Sequence, residues 1–193
     1  GELGRRHGLD QVGFWRKILE HPTYDAFWRD QAMDRIVAAQ PLTVPVMLVH
    51  SLWDQEDIYG ANAVYKALEP KDTNNDKVYL VLGPWHHGQE INDASALGSL
   101  QFHSDTGLYF RQEILGPFLA RYLKEGAAKD NVPPVSAFET GTNVWRQLTS
   151  WPSGCTNGCG IRHSSLYLGA NLKATFDAPK PAEPGFDEYL SDP

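Results

Sequence analysis

The sequence predicts an α/β fold flanked by a short helical segment before it and a β-rich segment after it. Three observations carry this expectation. Residues 44–49 and 78–82 are compact apolar runs with little alternation, as in parallel strands covered on both faces. Between them Ala61, Val64, Tyr65 and Leu68 recur at helical spacing. Beyond Pro133-Pro134, short apolar stretches are separated by Gly, Asn and Pro turns, the pattern of antiparallel strands.

The elements follow in chain order. Phe14, Trp15, Ile18 and Leu19, then Phe27, Trp28, Ile36 and Val37, mark a helical hairpin across residues 9–40. His21-Pro22-Thr23 interrupts it, with Pro22 ending one helix and Thr23 offering an N-cap to the next. The first strand, broken only by Pro45, is followed by a helix that Pro70 and the polar run 71–76 terminate. After the second strand, Leu108, Ile114, Leu115, Phe118, Leu119, Tyr122 and Leu123 define a long amphipathic helix, which Gly126 can end. Strand, helix and strand make a βαβ unit. Two strands do not form a stable sheet, so further strands are expected from outside the chain or from another chain. Residues 135–138, 144–148, 165–168 and 172–176 are the strands expected of an antiparallel sandwich, and Ser150-Trp151-Pro152 resembles a strand end.

Composition narrows the function. With 193 residues, 41% hydrophobic and 11% aromatic, the chain can bury a core, which argues against disorder. A formal charge of -7 with no cluster of Lys and Arg excludes the usual basis of nucleic-acid binding. No apolar stretch reaches the roughly 20 residues that span a bilayer, and no secretory h-region opens the chain. The first residue is Gly1 rather than Met, so a targeting segment of a longer parent is not visible. Cys155 and Cys159 lie in a turn-rich run and suit either a local disulfide or two free thiols. A metal site there would need ligands beyond His163, and no metal site is predicted.

Two loops carry the chemistry. Leu52-Trp53-Asp54-Gln55-Glu56-Asp57 and Gly83-Pro84-Trp85-His86-His87 each follow a buried strand. Both therefore fall at carboxyl ends of parallel strands, where open α/β sheets place their ligands. An acid on one loop and a histidine on the next supply two members of a charge-stabilised triad, in the chain order nucleophile, acid, base. Asp54 is the expected acid and His87 the expected base. Asp54 would accept from the His87 Nδ1–H, hold its tautomer and stabilise the imidazolium. His86 is expected in a packing or surface role; Glu56 and Asp57 are alternative acids whose plain role is the first turn of the helix from Tyr59. Trp53 and Trp85 are expected to wall the site or support its loops, with plain core packing an equal alternative for each. No Gly-x-Ser-x-Gly occurs, so the nucleophile is expected elsewhere in a longer protein and the chain alone is expected to be inactive.

These residues resemble a known family. Gly8-Leu9-Asp10-Gln11, His21-Pro22-Thr23-Tyr24-Asp25-Ala26-Phe27-Trp28, the Trp-Asp-Gln-Glu-Asp loop, Gly-Pro-Trp-His-His and the two-cysteine loop are similar to the α-amino acid ester hydrolases. That family stands with cocaine esterase, glutaryl acylases and X-Pro dipeptidyl peptidases in one group of α/β-hydrolases. The resemblance covers nearly the whole chain as a C-terminal fragment. It implies a helical cap segment over 1–43, the C-terminal part of an α/β-hydrolase domain over 44–130, and the start of a β-sandwich (jelly-roll) domain over 131–193.

The resemblance also implies a serine ester hydrolase and acyltransferase. Its substrates would be α-amino acid esters and the acyl groups of β-lactam antibiotics, with no cofactor. An acidic cluster would hold the substrate ammonium, and Asp25 is the residue carried over to it. The remainder of the same protein is the implied partner, with neither nucleic acid nor membrane, and a homo-oligomer is left open. A periplasmic or secreted location follows from the resemblance alone. The alternatives are a glutaryl-type acylase or general esterase of the same group, or a non-catalytic module binding carbohydrate or a partner through Trp145, Trp151 and Tyr167.

Overall fold

The computed structural model describes residues 2–127, 132–152, 164–169, 173–178, 188 and 190. The chain divides into two units, Gly1–Ser153 and Gly154–Pro193. Four short helices open the first unit: α1 (Glu2–Arg6), α2 (Gly13–Glu20), α3 (Ala26–Asp30) and α4 (Met33–Ala38). The aromatic residues of the expected hairpin meet, Phe14 and Trp28 packing edge to face at 6.5 Å. The cap differs from expectation. A cap must immediately precede the first helical residue, so Asp25, not Thr23, caps α3, its carboxylate accepting from the Phe27 N–H at 2.9 Å.

A four-stranded sheet of order β1-β2-β5-β6 forms the centre of this unit. Strand β1 (Val46–Ser51) leads through α5 (Gly60–Leu68) to β2 (Val78–Gly83), which pairs with β1 in parallel. A small hairpin follows, β3 (Ala96–Leu97) with β4 (Leu100–Gln101). Next comes one continuous helical rod, α6 (Thr106–Tyr109), a π-turn segment (Phe110–Leu115) and α7 (Gly116–Leu123). The wider turn ends two residues before Pro117, whose ring has no N–H to give and would crowd the carbonyl four residues back. The rod ends at Leu123, before Gly126, which adopts φ +70°.

Strands β5 (Val135–Glu139) and β6 (Val144–Leu148) depart from expectation. They are antiparallel to each other, as their turn-rich sequence suggested, but β5 also joins β2 in parallel. The sheet thus finds further strands within the chain itself, and the sheet and its unit continue past the boundary expected at 131. The physical reason is visible in β5, whose first four residues are buried, as in a strand covered on both faces. In the second unit, β7 (Tyr167–Gly169) pairs antiparallel with β8 (Lys173–Thr175). Cys155, Cys159 and His163 lie outside the described residues.

All six residues of β2 are buried, and their alternation feeds both faces of the sheet. Val78, Leu80 and Leu82 pack with Tyr65, Leu68, Val135 and Ala137 on one side. On the other, Val81 packs with Trp85, Ala94, Phe110 and Ile114, and Tyr79 with Phe118 and Val132. Each large apolar side chain removed from water here contributes about 1.5–3 kcal/mol. This core is what holds the carboxyl ends of β1 and β2 in place.

Candidate active site

Parallel pairing sets Ser51 opposite Gly83, so the two chemistry-bearing loops leave the sheet side by side. Backbone bonds continue beyond the strands. The Leu52 N–H donates to the Gly83 carbonyl at 2.9 Å and the Trp53 N–H to the Trp85 carbonyl at 3.0 Å. The second loop turns tightly because position 83 has no side chain: a Cβ there would stand 2.3 Å from the Trp85 ring. Trp85 is fully buried, donates from Nε1 to the Thr106 Oγ1 at 2.8 Å, and packs on Phe110 and Trp145. Gln89 pins the end of the loop, accepting from the His86 N–H at 3.2 Å and donating to the Ala96 carbonyl at 2.8 Å.

This scaffold brings Asp54 and His87 together, with Nδ1 and Oδ2 2.9 Å apart. An ionised carboxylate only accepts, so Nδ1 carries the proton and Nε2 is left as the basic nitrogen. The other oxygen of Asp54, Oδ1, accepts from the backbone N–H groups of Glu56 at 2.7 Å and Asp57 at 2.8 Å. The Asp57 N–H is the main cause that lowers the Asp54 carboxyl to about 2; the Glu56 N–H and His87 add to it, and together they outweigh partial burial. The His87 imidazole is raised above 6.5, first by its bond to Asp54 and then by the charges of Asp54, Glu56 and Glu90. The Asp54 side chain is only 7% exposed, whereas that of His87 is 50% exposed and leaves Nε2 approachable. His86 is exposed, its Nδ1 3.0 Å from the His87 carbonyl.

A cavity of about 160 Å³ lies against the pair, lined by Asp54, His87, Asp57, Glu90, His50 and Ser51 among others. Three sequence-predicted site residues lie outside it. Trp53 is half-exposed on the loop surface. Trp85, expected at the wall, beneath the loops or in the core, is sealed in the core and supports the His87 loop. Asp25 bonds the His21 Nδ1–H at 2.6 Å, and this bond is the first cause of its lowered carboxyl. The Asp25 carboxylate is therefore already engaged by a cap and an imidazole. Sequence reasoning missed His50, Glu90 and Gln89. His50 sits inside an apolar strand run, and Glu90 reads as an ordinary polar loop residue until the loop folds back. The aromatic platform of the binding-module alternative is not formed in the first unit, because Trp145 packs against Trp85, Tyr109 and Phe138. Among the described residues no His, Cys, Asp or Glu group is arranged to hold a metal, and no helix is long and apolar enough to cross a membrane.

Residues 3–89 match the family described as X-Pro dipeptidyl-peptidase (S15 family). The matched stretch contains both loops and the Asp54–His87 contact. The chain is similar to a solved α-amino acid ester hydrolase, at 46% identity and a TM-score of 0.84 over 95% of this chain and 30% of that one. It is also similar to an aminopeptidase from the marine-sediment archaeon Thaumarchaeota archaeon, at 45% identity and a TM-score of 0.83 over 93% of this chain and 28% of that one. The chain thus spans less than a third of the length of either structure. No curated protein matches it.

Proposed function

We propose that this chain carries the acid and base of a serine hydrolase acting on α-amino acid esters, the serine coming from the remainder of the polypeptide. The observation behind this reading is the 2.9 Å contact between Asp54 and His87 at the ends of two adjacent parallel strands. His87 Nε2 takes the proton of the serine hydroxyl as the oxygen attacks the ester carbonyl. It then returns that proton to the leaving alcohol. Water, or an amine such as that of a β-lactam nucleus, releases the acyl group by the same proton route.

The substrate's α-ammonium is the group that the acidic cavity suits. Asp57 and Glu90 line it beside Asp54. The names of the family and of both similar structures share an amino-acyl theme, which supports the same reading. A glutaryl-type acylase, whose substrate carries a carboxylate, would face like charge here. In the wider reading residues 1–43 form a helical cap, the hairpin after Gly154 opens a jelly roll, and the parent is periplasmic or secreted.

Hydrolysis of phenylglycine methyl ester against a glutaryl amide by the full-length protein tests the assignment. Preference for the amino ester is expected, and faster turnover of the glutaryl amide would overturn it. The 193-residue chain alone should not react with a fluorophosphonate probe, and labelling at any of its serines would show a nucleophile that this reading lacks.

A further inference from the structure

His50 is the next-to-last residue of β1, only 4% exposed, and it lines the same cavity as Asp54 and His87. The Asp54 oxygen that faces an imidazole is bonded to His87 and not to His50. The titratable groups around it are Asp54 and Asp57 from the loop after β1, with His87 and Glu90 from the loop after β2. Helix α5 contributes Ala61 to the wall, which carries no charge. Two imidazoles therefore share the surroundings of one carboxylate, and only one of them is bonded to it.

We propose that His50 is a positioning residue coupled to the Asp54–His87 pair: uncharged, it leaves the Asp54 carboxylate to His87, and protonated, it competes with His87 for that carboxylate. The proposal rests on reading Asp54 and His87 as the proton-transfer pair. Burial disfavours the His50 cation and is the leading cause of its lowered pKa, opposed by the attraction of Asp54 and Asp57. His87 is shifted the other way. On acidification His87 therefore takes its proton first and His50 second. The second proton enters a space that already holds an imidazolium, so it must weaken the hold of His87 on Asp54. Glu90, which lines the same cavity, has a buried carboxylate oxygen, Oε2, without a hydrogen-bond partner among the described residues.

The test follows the histidine ring nitrogens by ¹⁵N NMR across a pH titration of this chain, of His50→Gln and of Asp54→Asn. In the parent chain, His87 should titrate in a major step and a minor one, the minor step coinciding with the titration of His50. His50→Gln should lose the minor step and keep the major one. A single His87 step with His50 titrating independently would overturn the proposal while leaving the Asp54–His87 reading in place. If Asp54→Asn leaves the His87 titration unmoved, the reading falls and the proposal with it. Should His50→Gln fail to fold, the parent record alone decides between one step and two.

Discussion

Asp54 divides its carboxylate between two tasks: Oδ1 ties down the loop through two backbone N–H groups, and Oδ2 faces His87. Asparagine would keep the first task and present an N–H₂ group to the imidazole, favouring the wrong tautomer. On the proposed reading, Asp54→Asn in the full-length protein should lower kcat for an amino acid ester by about 10⁴-fold with the fold retained. A base must be neutral to accept a proton, and His87 is raised above 6.5. The acid limb of kcat/KM should therefore lie above pH 6.5 in the parent and move downward in Asp54→Asn. A parent limb below that value contradicts the assignment. Asp72 illustrates the same chemistry in a purely structural role. It is buried and accepts from the backbone N–H groups of Asp76, Lys77 and Val78 at the start of β2. Asp72→Ala should cost about 1–3 kcal/mol, the range for leaving buried donors unpaired, read from urea denaturation.

The Gly-Pro-Trp-His-His loop works as an element because Trp85 folds back over Gly83 and is latched to Thr106, which itself donates to the Ala94 carbonyl at 2.8 Å. Gly83→Ala would drive a methyl group into the Trp85 ring, and overpacking of this kind costs about 1–3 kcal/mol. We expect a lower Tm together with a displaced His87 ring resonance; an unchanged resonance would mean that Trp85 does not position this loop. The end of α4 depends on a different tether. Lys71 donates from Nζ to the carbonyls of Ala38 and Gln40, two acceptors beyond the helical bonding pattern. Lys71→Met keeps much of the stem but removes the donor, so amide exchange should accelerate across residues 33–43 while the β2 amides stay protected. Uniform acceleration across both would contradict a local tether.

At the scale of the whole molecule, stability responds to pH through groups of opposite sign. Asp54, lowered to about 2 from 3.8, contributes stability that is present above pH 3.8 and lost as pH falls toward 2. Asp72 and Asp105, also lowered, add to the loss in the acid range, because backbone N–H groups hold their charged forms against burial. His87, raised, contributes below pH 6.5 and loses that contribution as pH rises through its folded value. Thermal scans from pH 2 to 5 should thus show Tm climbing with pH, and a flat profile would count against these carboxylate anchors. By itself the sequence determined the two parallel strands, the crossover helix, and the acid and histidine at matched positions after them. Those features are local, written in apolar periodicity and in loop position. It did not determine where β5 belongs, because a short apolar strand with turns on both sides reads alike at the edge of a sandwich and inside a mixed sheet. Nor did it reveal that Asp25 is engaged by His21 and the Phe27 N–H, or that His50 and Glu90 line the cavity beside the pair. These outcomes depend on which distant segments share a wall, and only the folding of β1 against β2, with their loops laced together, decides that.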